Sequence, residues 1–274
     1  MSIPTEFDPT RAETRQSRVA QRLALALAQA GLQGGLQVVY QPQIDLPSGQ
    51  VVSFEALCRW HDEALGPVAP DEFIAVAEAR GLIVRLGQAM LQGVLADLPQ
   101  LLARWPAARV AVNVSGVELA QPDFSDRLQA VLQGADPAWA RHLELEVTES
   151  VFHHDVRTVR QHLQALRALG LTVAIDDFGT GQSSLSRLHT LPFDKIKLDR
   201  SFVQALAEPM VQAIVRAMAQ LADSFSRGLV VEGVETREQL HQLMQLGCRG
   251  AQGYLLGRPA ALPKLLASPT GFTP

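Results

Sequence analysis

Residues 171–178, LTVAIDDF, decide the fold. A short apolar run rich in β-branched residues reads as a buried strand, and it ends in two adjacent carboxylates, Asp176 and Asp177. An isolated Asp-Asp pair is most often a turn, so the reading depends on whether the pattern recurs. It does. HLELEVTE (142–149) closes on Glu146 and Glu149, and FDKIKLD (193–199) on Lys197 and Asp199. LVVEGV (229–234) carries Glu232, with Glu235 just beyond, and RVAVNVS (109–115) carries Asn113. GAQGY (250–254) carries Gln252, and VVSFEALCR (51–59) places Glu55 late in its run. With QVVYQ (37–41), eight strands are expected.

Helical patterns separate most of these runs, over residues 82–104, 123–133, 155–169, 202–225 and 236–246. Strand–helix alternation of this kind predicts an α/β fold, a (β/α)8 TIM-like barrel. The first two strands are joined only by DLPSGQ (45–50), a hairpin-like turn, so one strand should run antiparallel. A doubly wound open sheet is the alternative, weakened by the lack of a glycine-rich nucleotide fingerprint after the first strand. The polar start and the Ala/Leu-rich segment 18–32 set residues 1–36 apart as a leader and helix before a barrel domain at 37–274. That helix reads as a cap on the domain, or as a coupling helix for a regulatory domain or protein partner.

Composition narrows the function. Across 274 residues, 24 basic and 28 acidic side chains leave a net charge of −4, which argues against a partner such as polymeric nucleic acid or an anionic membrane. No run approaches the ~20 apolar residues of a membrane segment, and the start lacks a secretory core, so a cytoplasmic location is expected. The two cysteines, Cys58 and Cys248, cannot form a disulfide scaffold. The seven histidines are scattered and read as surface or capping residues.

In a barrel the strand C-termini converge on one mouth, where active sites of this architecture sit. Glu55, Glu146, Asp176, Asp177 and Glu232 would there face one cation, Lys197. Such crowding is relieved by protonation or by divalent ions, and all-oxygen donors with an amide favour Mg²⁺ or Mn²⁺. Two such ions ~4 Å apart suit in-line attack of water on a phosphodiester. Alternation puts Glu55 and Arg59 on one strand face, where Arg59 could grip a phosphate or form a structural ion pair.

The ordered motifs FEALCRW, PDEFIAVAEARGLI, NVSGVEL, LELEVTES, AIDDFGTGQSSL, LPFDKIKLDRSF, VVEGVET and QGYLLGRP, spread over about residues 37–261, resemble the EAL domain family of bacterial cyclic di-GMP phosphodiesterases. The resemblance implies hydrolysis of cyclic di-GMP to linear pGpG with two Mg²⁺ or Mn²⁺ ions, Ca²⁺ being inhibitory. It implies Glu55, Asn113, Glu146 and Asp176 as ligands of a first metal, and Asp176 and Asp177 as ligands of a second to which Glu232 contributes. Lys197 would orient the attacking water with support from Asp199, and Gln252 would lie near water and metal. Gln41 resembles a guanine contact and Arg59 a phosphate contact. Glu149 and Glu235 resemble the pair anchoring the loop at 178–185. Gln182, SFSRGL at 224–229 and Arg249 depart from the family pattern without removing a ligand. A homodimer is implied by analogy. Two competing readings are an inactive receptor that binds cyclic di-GMP and relays it to a partner, and a different metal-dependent barrel enzyme using Lys197 as a base.

Overall fold

The structure is a computed structural model that describes residues 9–28, 31–153, 155–179, 185–268 and 271–272. The chain divides into two compact units, Met1–Gln37 with Cys58–Gly93, and Val38–Leu57 with Val94–Pro274.

The larger unit is built on the sheet. Its strands are β1 (Leu36–Asp45), the first part of β2 (Gln50–Asp62), β4 (Arg109–Val114), β5 (Leu143–Thr148), β6 (Thr172–Phe178), β7 (Lys195–Leu198), β8 (Gly228–Val231) and β9 (Gly250–Gln252). The order β1-β9-β8-β7-β6-β5-β4-β2, with β1 also paired to β2, closes an eight-stranded barrel. Strands β2 and β4 to β9 run parallel, whereas β1 is antiparallel to β9, with Gln43 opposite Gln252. The barrel and its reversed strand therefore stand as the sequence implies.

Two-residue periodicity sorts the strand side chains. Val110, Val112, Leu143, Leu145, Val147, Val173 and Ile175 form one buried apolar set. The alternate set holds small or polar residues, namely Ala111 and Asn113, Ala174 and Asp176, and Lys195 and Lys197. Helices α3 (Ile83–Arg104), α4 (Gly116–Leu119) and α5 (Phe124–Gln133) precede α6 (Val156–Ala168) in the chain. Helices α6 and α8 (Pro209–Ser224) bury Val159, Leu163 and Leu166, and Val215, Met218, Ala219 and Ala222 respectively. At the start of β7, Asp194 stitches three strands together. Its carboxylate accepts from the Val173 amide at 3.0 Å and from Arg167 at 2.6 and 3.0 Å, and its carbonyl accepts from the Gly228 amide.

The helical expectation over 202–225 resolves into α7 (Arg200–Gln204) and α8. Pro209, which has no N–H to donate, starts the second helix at its first turn. Asp155 caps α6 by accepting from the Arg157 amide. Two histidines correct the surface reading: His142 and His162 are buried, against the Ala108 carbonyl and the Ser125 hydroxyl at 2.9 Å each.

The smaller unit holds α1 (Pro9–Ala26), α2 (Pro70–Ala79) and the hairpin of the end of β2 with β3 (Gly66–Val68), a strand too short to read from sequence. Trp60 donates from Nε1 to the Gly34 carbonyl and meets Phe73 edge-on, while Arg22 pairs with the buried Asp62 at 2.8 Å.

Candidate functional site

Strands β2, β5, β6 and β7, with Glu232 just past β8, bring charged side chains to a common point. Lys197, fully buried on β7, is that point. Its Nζ lies 2.7 Å from Glu232, 3.0 Å from Glu146, 3.0 Å from Asp176 and 3.7 Å from Glu55. Burying an ammonium is costly unless opposite charges surround it, and four carboxylates do so. Four of the five carboxylates grouped from sequence thus surround the one cation expected among them. Glu55 is further fixed by amides: Asn113 Nδ2 donates to its Oε1 at 3.0 Å and Gln252 Nε2 to its Oε2 at 2.6 Å.

The backbone re-aims the two aspartates. The β6–β7 register shifts between Ile175 and Phe178, the signature of a bulge. Within it Asp177 has φ 52°, a left-handed conformation that aspartate tolerates better than most residues, and its amide donates to Asp176 Oδ1. Beyond the strand, a Cβ on Gly179 would lie 2.4 Å from the Phe202 ring, and one on Gly233 would lie 2.5 Å from Arg200 Cβ. Both residues they abut belong to α7, whose N-cap is Asp199, accepting from the Ser201 amide at 2.9 Å.

Two overlapping groups of oxygens have metal-ligand spacing: Glu55, Glu146 and Asp176, and Asp176, Asp177 and Glu232. Their side chains fit divalent cations on a further ground. Glu146 Oε2 and Glu232 Oε1 touch the ammonium but complete no hydrogen bond among the described residues, and Gln252 Oε1 completes none either. Acceptors left open in a buried, all-oxygen setting are what a hard cation takes.

The electrostatics agree. Burial, reinforced by the neighbouring carboxylates, pushes Glu232 up to about 7 and Asp177 up to about 6, and raises Glu146 well above the usual range. Burial acts the same way on Glu55, yet the Lys197 charge and the two amide donors overcome it and hold Glu55 low. Burial opposes the Lys197 charge, but the carboxylates raise its pKa well above normal. Because Glu232 and Asp177 are raised above their unfolded values, the metal-free protein holds protons there that the unfolded chain has shed. Their contribution to stability therefore falls as pH climbs from about 4 through 6 and 7. A bound cation must displace those protons. The expected result is a gain in melting temperature on adding Mn²⁺ that is small at pH 5.5 and grows to a plateau by pH 8, measured by differential scanning fluorimetry. A gain independent of pH would contradict it.

Other predicted residues are placed as follows. Gln41 is buried, with Nε2 donating to the Gly257 carbonyl at 3.1 Å and Oε1 accepting from Gln252 at 3.2 Å. Arg59 belongs to the smaller unit, where its guanidinium donates to the Cys58 carbonyl. Glu149 is buried at the start of a 3-10 turn (Glu149–His153), and Glu235 is exposed before α9 (Arg237–Gln245). Most of the loop they are expected to anchor, with Gln182, lies outside the described residues.

Three inward polar residues were not singled out from sequence: Gln43, Glu144 and Lys195. Each stands two positions from a predicted residue on its strand, so a strict period-two reading from Gln41, Glu146 and Lys197 would have found them.

Comparison with known proteins bears on this site. The EAL domain family model matches residues 24–259. The chain is 40% identical over 246 residues to a protein of Pseudomonas aeruginosa named cyclic di-GMP phosphodiesterase PA2567, an alignment covering 89% of this chain and 42% of that one. It spans 30 to 42% of the length of the curated relatives that head the matches. Among solved structures, one described as the PaMucR phosphodiesterase in complex with c-di-GMP superposes with a TM-score of 0.82 at 36% identity, covering 90% of this chain and 99% of that one. The EAL enzyme Bd1971, bound to cAMP and cyclic di-GMP, superposes at 0.84 with 28% identity, covering 93% and 69%.

Proposed function

The chain belongs to the EAL domain family, and from that premise we propose that it is a metal-dependent phosphodiesterase that hydrolyses cyclic di-GMP to linear pGpG. The observation that carries the reading is the convergence of Glu55, Glu146, Asp176 and Glu232 on Lys197, with the Asn113 and Gln252 amides locking Glu55.

In this reading Glu55, Asn113, Glu146 and Asp176 hold one divalent ion, Mg²⁺ or Mn²⁺, and Asp176, Asp177 and Glu232 a second. When bound, such a pair neutralises phosphate oxygens and lowers the pKa of a water. The protein's own groups do the rest. Lys197, three donors and no acceptor, orients the attacking water and favours the charged form of the carboxylates around it. Glu232, 2.7 Å from the Lys197 ammonium, is read as the group that accepts a proton during the reaction. Gln252 presents an open oxygen to the site, Asp199 sets the start of α7, and Gln41 and Arg59 bind the substrate's guanine and phosphate. Ca²⁺, with its larger shell, is expected to inhibit. A homodimer, a regulatory domain or protein partner and a cytoplasmic location complete the proposal. Among the described residues, no helix is long and apolar enough to cross a membrane.

The test is incubation of the purified protein with cyclic di-GMP and Mg²⁺ or Mn²⁺, with product analysis by anion-exchange chromatography. The expected product is pGpG, abolished by EDTA. Binding of cyclic di-GMP without pGpG under either ion would replace the enzymatic reading with that of a receptor.

A further inference from the structure

Below the carboxylates around Lys197 the barrel interior carries a second polar layer. Glu144 precedes Glu146 by two residues on β5, Lys195 precedes Lys197 by two on β7, and Gln43 lies opposite Gln252 on the reversed strand β1. The contacts form one continuous path. Thr172 Oγ1 donates to Glu144 Oε2 at 3.2 Å, and Lys195 Nζ donates to Glu144 Oε1 at 2.6 Å. The same ammonium donates to Gln43 Oε1 at 3.1 Å, and Gln43 Nε2 donates to Glu146 Oε1 at 3.2 Å.

The chemistry of each partner fixes the orientation of the middle link. An ammonium offers only donors, so the residue between Lys195 and Glu146 must accept from Lys195 at one end, and it reaches Glu146 with a donor at the other. A primary amide does this, and Gln43 is fully buried with both ends used. Barrel interiors at this depth are ordinarily filled with branched apolar side chains. A buried ion pair in their place carries a desolvation cost that apolar packing avoids. Among the described residues, the layer bonds to the group above it at Glu146 Oε1. That bond leaves Oε2 as the oxygen turned to Lys197, at 3.0 Å.

We propose that Gln43, itself held by Lys195, is a positioning residue that fixes the Glu146 carboxylate and thereby sets the affinity of the metal position formed by Glu55, Glu146 and Asp176. The position formed by Asp176, Asp177 and Glu232 does not touch Gln43 and is left alone. The inference rests on the reading of Glu146 as a metal ligand.

The experiment is a Mn²⁺ titration of the full chain, followed by calorimetry and by the metal dependence of cyclic di-GMP turnover. Wild type should bind two ions. Gln43→Met should weaken one binding step by roughly 10- to 100-fold and leave the other in place. KM for cyclic di-GMP should stay near wild type, and the lost rate should recover at saturating Mn²⁺. Lys195→Met should shift the same step in the same direction, and Lys195→Arg, which keeps a donor at that place, should shift it less. If Gln43→Met does not fold, Gln43→Asn keeps the amide but falls one methylene short of spanning the gap, and it is read the same way. A variant with a lower melting temperature but an unchanged titration overturns the proposal, because a merely structural residue behaves so. Two sites in wild type with both steps unchanged in Gln43→Met overturn this inference alone. No Mn²⁺ binding by wild type overturns the metal-site reading beneath it as well.

Discussion

Under the proposed activity, Glu55→Ala is expected to abolish hydrolysis of cyclic di-GMP, with a loss in kcat of at least about a thousandfold, ~4 kcal/mol of barrier. Glu55 has the lowered pKa of the cluster and stays charged when its neighbours take protons. It is also the carboxylate on which the Asn113 and Gln252 amides converge. Removing it takes away one oxygen group of the proposed first metal position and releases two amides that orient the rest. Stability should fall by less than activity. The three carboxylates left around Lys197 repel one another less than four did, which offsets part of two lost hydrogen bonds to a charged group, worth about 1.5–3 kcal/mol each. Comparing kcat with the melting temperature in metal-free buffer checks both halves. Wild-type turnover in Glu55→Ala would remove this residue from the site, and a collapse of the fold would make its role structural.

Lys197→Met acts through the opposite imbalance. The ammonium is completely buried, and its removal leaves four carboxylates with no counter-charge between them. Breaking a buried pair from one side costs about 3–5 kcal/mol. Here the carboxylates can escape part of that cost by taking protons, so the penalty is largest at pH 8 and shrinks toward pH 5. Divalent cations offer a second escape, and Mn²⁺ should raise the melting temperature of the variant more than that of wild type. Turnover should remain at least about a hundredfold down even with metal restored, since no ion reproduces an oriented N–H donor. Thermal melts across pH, with and without Mn²⁺, separate these effects. A melting temperature equal to wild type at pH 8 without metal would show that the ammonium does not hold the cluster together.

The barrel was legible because its signal is repetitive. Eight apolar runs, each ending in a polar group, survive errors at any one of them, and the hairpin turn 45–50 announced the reversed strand. Individual elements without repetition were less legible. Strand β3 is three residues long and carries no period, and α8 begins at a proline inside an otherwise continuous helical pattern. The site shows the same division. Glu55, Asn113, Glu146, Asp176, Lys197, Glu232 and Gln252 were visible as charges and amides in apolar strands, where they are out of place unless paired. Gln43, Glu144 and Lys195 break the same rule two positions from Gln41, Glu146 and Lys197 on their own strands. They went unread because Glu146 and Lys197 already accounted for the polarity of those segments. The bulge at Asp176 and Asp177 had no sequence signal, because it arises from the pairing of β6 with β7 rather than from either strand alone.

The two glycines at the ends of β6 and β8 carry a lesson for transplanting parts of this scaffold. Gly179 is shaped to the Phe202 ring and Gly233 to the stem of Arg200, and both of those side chains rise from the five-residue helix that follows Lys197. Three stretches of chain, spread between Gly179 and Gly233, thus share one keystone. A chimera that imports only one of them from a relative inherits a steric mismatch with the other two, so they exchange as a set or not at all.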